Sequence, residues 1–250
     1  SYPIVRALID NPKHSKLAIG MVDNMLHLVE RFGIIPNASR MYFLSRSQPP
    51  LLTSMVSAVY EKTKDKEWLR RAIKLVELEY QDVWMGKVHL RNYRLTSTGL
   101  SRYYDINALD VLAEAESGWD MTARFGDHCL SYCPIDLNCL LYLYEVDLAR
   151  TYGLFGDMAK KERYKLAAEK RTRLINKYMW NEKEGYFFDY NFEKRKKSPL
   201  ITIAGVYPLN VGIATRSQVR SSVKVILKNM EKDWGIVQCV RFVENKQWDW

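Results

Sequence analysis

Two stretches of this chain place hydrogen-bonding and carboxylate side chains where a hydrophobic core has no use for them. The first is "IPNASRMYFLSRSQPP", residues 35–50, in which Asn37, Arg40, Arg46 and Gln48 stand among aromatic residues on the way into a helix. Planar, multidentate donors bind sugar hydroxyls, and aromatic faces cover the C–H surfaces of the ring, so this loop has the parts of a sugar subsite. An ordinary helix-entry loop accounts for the same residues. The second is "ESGWDMTARF", residues 116–125, in which Asp120 directly follows Trp119 after a glycine that lets the chain turn. A carboxyl group against an apolar aromatic surface favours its neutral form, because desolvation penalises the charge. A neutral carboxyl is what protonation of a glycosidic oxygen requires. An N-cap, or an ion pair with Arg124 four residues on, is the ordinary alternative. "SRYYD" (101–105), with Arg102, and "QWDW" (247–250), with Gln247, Trp248 and Asp249, each join aromatics to an aspartate. Alone, each says little, since Trp and Tyr more often fill a core than bind a ligand.

These residues need elements to hold them, and the dominant apolar period is helical. Val22, Met25, Leu26 and Val29 fall at i, i+3, i+4 and i+7, as do Leu52, Met55, Val56 and Val59. Leu69, Ala72, Ile73, Val76 and Tyr80 extend the pattern, and so do Leu137, Leu140, Leu141, Tyr144 and Leu148. Val219, Val223, Ile226, Leu227 and Met230 form a later stripe. The charged segment 156–178 reads as a helix with Tyr164, Ala167, Leu174 and Tyr178 on one side. At least six helices are expected. Long loops rich in aromatics fall at 33–49, 87–106, 117–135 and 180–210, and "WNEKEGYFFDY" (180–190) suits a short hairpin about Gly185. Helix hairpins joined by long, chemically varied loops suggest an all-α, α/α toroid whose loops gather at one mouth. No fixed period supports a solenoid.

Composition narrows the function classes. Of 250 residues, 47% are hydrophobic and 27% charged, with a formal charge of +9. The densest basic runs, "KKERYK" (160–165) and "EKRKK" (193–197), are mixed with glutamate, which argues for solvated surface over a nucleic-acid patch. No apolar run approaches the roughly 18 residues of a membrane span. "SYPIVRALIDNP" does not read as a secretory leader, so a cytoplasmic location is the expectation. Cys129, Cys133, Cys139 and Cys239 match no zinc spacing and are expected as reduced, mostly buried thiols.

Taken together, "IPNASRMYFLSRSQPP", "ESGWDMTARF", "PIDLN" (134–138) and "QWD" (247–249) occur in an order that resembles the α,α-trehalases, glycoside hydrolase family 37. The resemblance runs from about residue 17 to 250. It implies an (α/α)6 barrel that hydrolyses trehalose with inversion and without a cofactor. The family's general acid falls on Asp120, its binding asparagine on Asn37 and its binding arginine on Arg46. Trp119 and Gln48 lie beside these matched positions, and Gln247, Trp248 and Asp249 match a signature at the pocket.

The chain also departs from the family pattern. It lacks the "PGGRF" element, and no Arg-Pro-Glu triplet follows "RYYD", for which Arg102 is the candidate substitute. The family's run after "QWD", with the catalytic base glutamate beyond it, is not in this sequence, and Asp105, Asp136, Glu145 and Asp189 do not match that base. The expectation is that residues 1–250 form part of a single (α/α)6 catalytic domain, incomplete in this chain. Another (α/α)6 α-glucosidase acting on oligosaccharides, or a sugar-binding relative without turnover, are the alternatives.

Overall fold

A computed structural model describes residues 2–38, 40–86, 93–120 and 122–241. The helices are α1 (Tyr2–Ile9), α2 (Ser15–Phe32), α3 (Leu52–Thr63), α4 (Lys66–Glu79), α5 (Asp110–Ser117), α6 (Ile135–Leu154), α7 (Met158–Met179), α8 (Tyr207–Asn210) and α9 (Arg216–Asn229). Two-residue strands follow the same order: β1 (Tyr132–Cys133), β2 (Trp180–Asn181), β3 (Tyr186–Phe187), β4 (Tyr190–Asn191), β5 (Lys196–Lys197), β6 (Glu231–Lys232) and β7 (Gly235–Ile236). The chain divides into two compact units, Ser1–Asn92 with Leu141–Ala168, and Tyr93–Leu140 with Glu169–Trp250.

In the first unit α1, α2, α3 and α4 pack on one another. Their stripes are the expected ones: Val22, Leu26 and Val29 of α2, and Leu69, Ala72, Ile73 and Val76 of α4, are buried. Gly33 ends α2 in the left-handed region at φ 72°, which a residue without Cβ adopts freely, and Asp65 caps α4 by accepting from Trp68 N at 2.9 Å. α4 then continues as a π-helical turn, Tyr80–Trp84, whose wider winding carries Tyr80, Val83 and Trp84 into the core.

The first unit also buries carboxylates, each supplied with donors. Tyr144 Oη donates to Glu79 Oε2 at 2.8 Å, and Tyr80 Oη to Glu145 Oε1 at 2.6 Å. Glu77 accepts from Tyr164 Oη at 2.5 Å, Lys160 Nζ at 2.7 Å, Gln81 Nε2 at 3.0 Å and also Tyr152 Oη. Burial pushes the Glu77 carboxyl up, but Lys160 and the two phenols outweigh it and hold the group below the usual carboxylate range.

The second unit has a core of Leu100, Cys133, Ile135, Cys139, Ile175, Met179, Phe187 and Ala204. Strands β1, β4 and β5 pair antiparallel in that order, and β2 pairs with β3 as the hairpin expected at 180–190. Its turn requires Gly185: φ is 63°, and a Cβ there would lie 1.9 Å from Ser221 Oγ. Two helical stripes differ from expectation by a small rotation. On α7 the buried line is Tyr164, Ala168, Arg171, Ile175 and Met179, with Arg171 buried because its Nη1 donates to Asn138 Oδ1 at 3.0 Å. On α9 Val223 and Leu227 face outward, while Gln218, Ser222 and Ile226 face inward. Gln218 is drawn in by a capping box with Thr215 and by Asn176 Oδ1, 2.9 Å from its Nε2.

Candidate active site

Residues 35–48 of the first unit bring three of the expected binding residues into one closed loop. Pro36 and Ser47 form an antiparallel bridge, Asn37 N donates to Arg46 O at 3.1 Å, and Gln48 N donates to Ile35 O at 3.1 Å. Gln48 Nε2 donates to Asn37 O, and Asn37 Nδ2 lies 3.5 Å from Ser47 O. Arg46 is 4% exposed. Its Nη1 donates to Tyr42 O at 3.3 Å and Ser45 Oγ at 3.1 Å, and its guanidinium lies 5.0 Å from the Phe43 ring centre. Met41 and Tyr42, on the short 3₁₀ turn Met41–Phe43, project into solvent at 89% and 68% exposure. Asn37, Arg46 and Gln48 thus form a connected group, with Arg46 directed into its own loop.

Asp120 lies in the second unit, just past the end of α5. Gly118 closes that helix at φ 73°, Ser117 Oγ accepts from Trp119 N at 3.0 Å, and Asp120 itself takes φ 51°. A left-handed aspartate is uncommon and is held in place here by its surroundings. Thr122 N, 2.9 Å from Asp120 O, also donates to the buried Glu114 Oε1 at 3.0 Å. The ordinary alternatives for Asp120 are both closed. No helix begins there, and Arg124 is engaged elsewhere. Among the described residues no side chain pairs with the half-buried Asp120 carboxylate.

Behind this turn is an ion network that sequence reasoning missed. Arg124 Nη2 donates to Asp136 Oδ1 at 2.6 Å and Nη1 to Asp136 Oδ2 at 3.1 Å. Arg124 Nε and Nη2 reach Asp189 Oδ2 and Oδ1, both at 2.8 Å. Asp136 Oδ2 also accepts from Trp119 Nε1 at 2.7 Å, and the Arg124 guanidinium sits 4.6 Å from the Trp119 ring centre. Burial pushes the Asp136 carboxyl up, and Arg124 with the Trp119 N–H outweighs it, so the group is held below the usual range. A second buried pair, Arg94 with Glu116, fixes the other side of α5, where Glu116 Oε2 accepts from Tyr104 N at 2.7 Å. Only the Asp120–Arg124 spacing hinted at any of this, and it suggested the wrong partner.

The remaining expected residues fall out as follows. Arg102 is half-buried, its Nε donating to Tyr93 O at 2.9 Å and its Nη1 to Leu130 O at 2.7 Å, over the Tyr104 and Phe192 rings. Gln247, Trp248 and Asp249 lie outside the described residues. Asp105, Asp136, Glu145 and Asp189 are all buried and hydrogen-bonded, Asp105 by Asn107 N at 2.8 Å. None of these four presents a carboxylate to solvent water.

The trehalase family model matches residues 1–115 and 107–250. The chain is 31% identical over 312 residues to the cytosolic neutral trehalase of Beauveria bassiana, covering 94% of this chain and 42% of that protein. It is 28% identical over 292 residues to the periplasmic trehalase of Escherichia coli, covering 100% of this chain and 51% of that one. The solved structure of the neutral trehalase of Saccharomyces cerevisiae matches at a TM-score of 0.79 and 29% identity, over 88% of this chain and 51% of that one. This chain therefore spans about half the length of the curated relatives it matches. The likeness bears out the all-α toroid expected from the helix pattern, and the (α/α)6 class that the family resemblance implied. Among the described residues no helix is long and apolar enough to cross a membrane.

Proposed function

The chain belongs to the trehalase family, and from that premise we propose that the protein carrying it hydrolyses trehalose with inversion, with Asp120 as the general acid. In this reading both units belong to one catalytic domain. Asp120 gives its proton to the bridging oxygen as the C1–O bond breaks, and one glucose leaves. Water adds its hydroxyl to C1 from the opposite face and gives its proton to a base carboxylate supplied from outside this sequence. The two carboxyls of such a pair stand roughly 6.5–9.5 Å apart, leaving room for that water. Asn37, Arg46 and Gln48 hold the first glucose through its hydroxyls, and Trp119, Arg102, Gln247, Trp248 and Asp249 are the other residues proposed to bind substrate. Arg46 would turn out of its loop to do so. A cytoplasmic location belongs to the same proposal, in line with the cytosolic fungal relative.

One observation carries the assignment. Asp120 is a half-buried carboxylate at a left-handed turn, with no pairing side chain among the described residues, while the acidic residues behind it are committed to Arg124 and to backbone donors. The test is glucose release from trehalose by the full-length natural protein and by Asp120→Asn. A general acid is worth about 10²–10⁴ in rate, so the variant should fall by that factor. Equal activity in the two proteins removes Asp120 from the mechanism. The absence of an Arg-Pro-Glu triplet between Asp105 and Ser117 favours a second reading, altered glucoside preference. Turnover of other α-linked glucosides in the same assay, faster than trehalose, would establish it.

A further inference from the structure

We propose that Asp136 is a positioning residue for Asp120, acting through Trp119 and Arg124; this rests on Asp120 being the general acid. One carboxylate holds the chain on both sides of Asp120. On the N-terminal side, Trp119 Nε1 donates to Asp136 Oδ2 at 2.7 Å. On the C-terminal side, Arg124 reaches Asp136 Oδ1 at 2.6 Å and Oδ2 at 3.1 Å. Arg124 also lies over the Trp119 ring at 4.6 Å, so the two anchors lock one another. Asp189 keeps Arg124 in place from the far side through two contacts at 2.8 Å, and Asp189 is itself held by Ile135 N at 2.9 Å.

The described residues beside Asp120 are held from within the same unit. Thr122 is tied to Glu114 Oε1, and Asp120 takes its left-handed φ of 51° between the fixed Trp119 and the fixed Thr122. A general acid must keep its oxygen within hydrogen-bond reach of the leaving oxygen, and a misplacement of about 1 Å costs on the order of 100-fold. Asp136 is 2% exposed and has its oxygens filled, so it takes no part in the chemistry itself. Its consequence is geometric: it sets where the Asp120 carboxyl points.

A role in aiming the acid is separable from a role in holding the fold. Trehalose needs a proton on its leaving oxygen, whereas α-glucosyl fluoride releases fluoride with little help from an acid. The experiment measures kcat and KM on both substrates for the full-length parent, Asp120→Asn, Asp136→Asn and Asp136→Glu. Asp120→Asn should lose trehalose hydrolysis and keep the fluoride; if it loses both alike, or neither, the acid reading itself is wrong. Given that control, Asp136→Asn should lower kcat on trehalose roughly 10- to 100-fold while turnover of the fluoride stays within about threefold. An equal fall on both substrates, or no fall on trehalose, overturns the positioning role and leaves the acid assignment standing. Asp136→Glu keeps the charge beside Arg124 and lengthens the side chain by one methylene, which shifts both anchors. It should show the same split, and it decides the question if Asp136→Asn does not fold.

Discussion

Arg124 is buried between two carboxylates, and that fixes what its neighbours can do. Its fork fills the near oxygens of Asp136 and Asp189 with contacts of 2.6–3.1 Å. Such a network stabilises only while complete, because a lone buried charge has no solvent to fall back on. Asp189→Ala should therefore cost about 3–5 kcal/mol, since it strips half of Arg124's partners and leaves Ile135 N without its acceptor. Urea unfolding of the variant against the parent measures this, and a loss under about 1 kcal/mol would show the site refilling with water. The proposed general acid, Asp120, differs from Asp136 and Asp189 in having no such partner among the described residues. That contrast was not legible in the sequence. Arg124 and Asp120 are separated by four positions, the spacing of a helical ion pair, but the chain there is a turn. Arg124 finds Asp189 sixty-five residues away, and no local pattern announces that contact.

At the scale of elements the sequence was most informative where a single periodic stripe meets an apolar core. The stripes of α4 and α6 are buried as their spacing implies, from Leu69 to Val76 and from Leu137 to Leu148. It was least informative where polar side chains join the buried face. Arg171 on α7 and Gln218 on α9 rotate their helices away from the purely apolar reading, each because a hydrogen bond waits inside. The α9 cap gives a direct prediction. Thr215→Ala removes the side-chain acceptor for Gln218 N at 3.3 Å and keeps the reciprocal bond from the residue-215 backbone N–H to Gln218 Oε1 at 2.9 Å, so it should cost about 1 kcal/mol in urea unfolding. Between α4, α6 and α7, the Glu77 cluster predicts a pH dependence. Its folded carboxyl is held below the ordinary value of 4.5, so its contribution is fully present above that pH and is lost as pH falls through the lowered folded value. The stability gap between parent and Glu77→Gln should then be widest near neutrality and shrink at about pH 3.5. A gap unchanged between the two conditions would mean that Glu77 acts through shape alone.

For the molecule as a whole, the four thiols report how the second unit opens. Cys129, Cys133 and Cys139 are fully buried, whereas Cys239 is partly exposed. Burial pushes all three buried thiols up, and Cys133 is further enclosed by Thr96 Oγ1 at 3.4 Å. Reaction needs both a thiolate and access, and these three have neither in the folded state. Native iodoacetamide treatment should therefore modify Cys239 alone within minutes. Cys133 and Cys139 belong to one core cluster with Leu100, Ile135 and Phe187, so exposing either means breaking that cluster. Their alkylation should begin together, at the urea concentration where the second unit unfolds, because groups buried in one cooperative core become accessible in one step. Mass mapping of the modified cysteines along a urea series would test this. Early labelling of Cys133 ahead of Cys139 would show that the β1–β4–β5 sheet opens separately from α6, which carries both Cys139 and Asp136. In that case Asp189, which directly precedes β4, would be the first of Arg124's two partners to loosen.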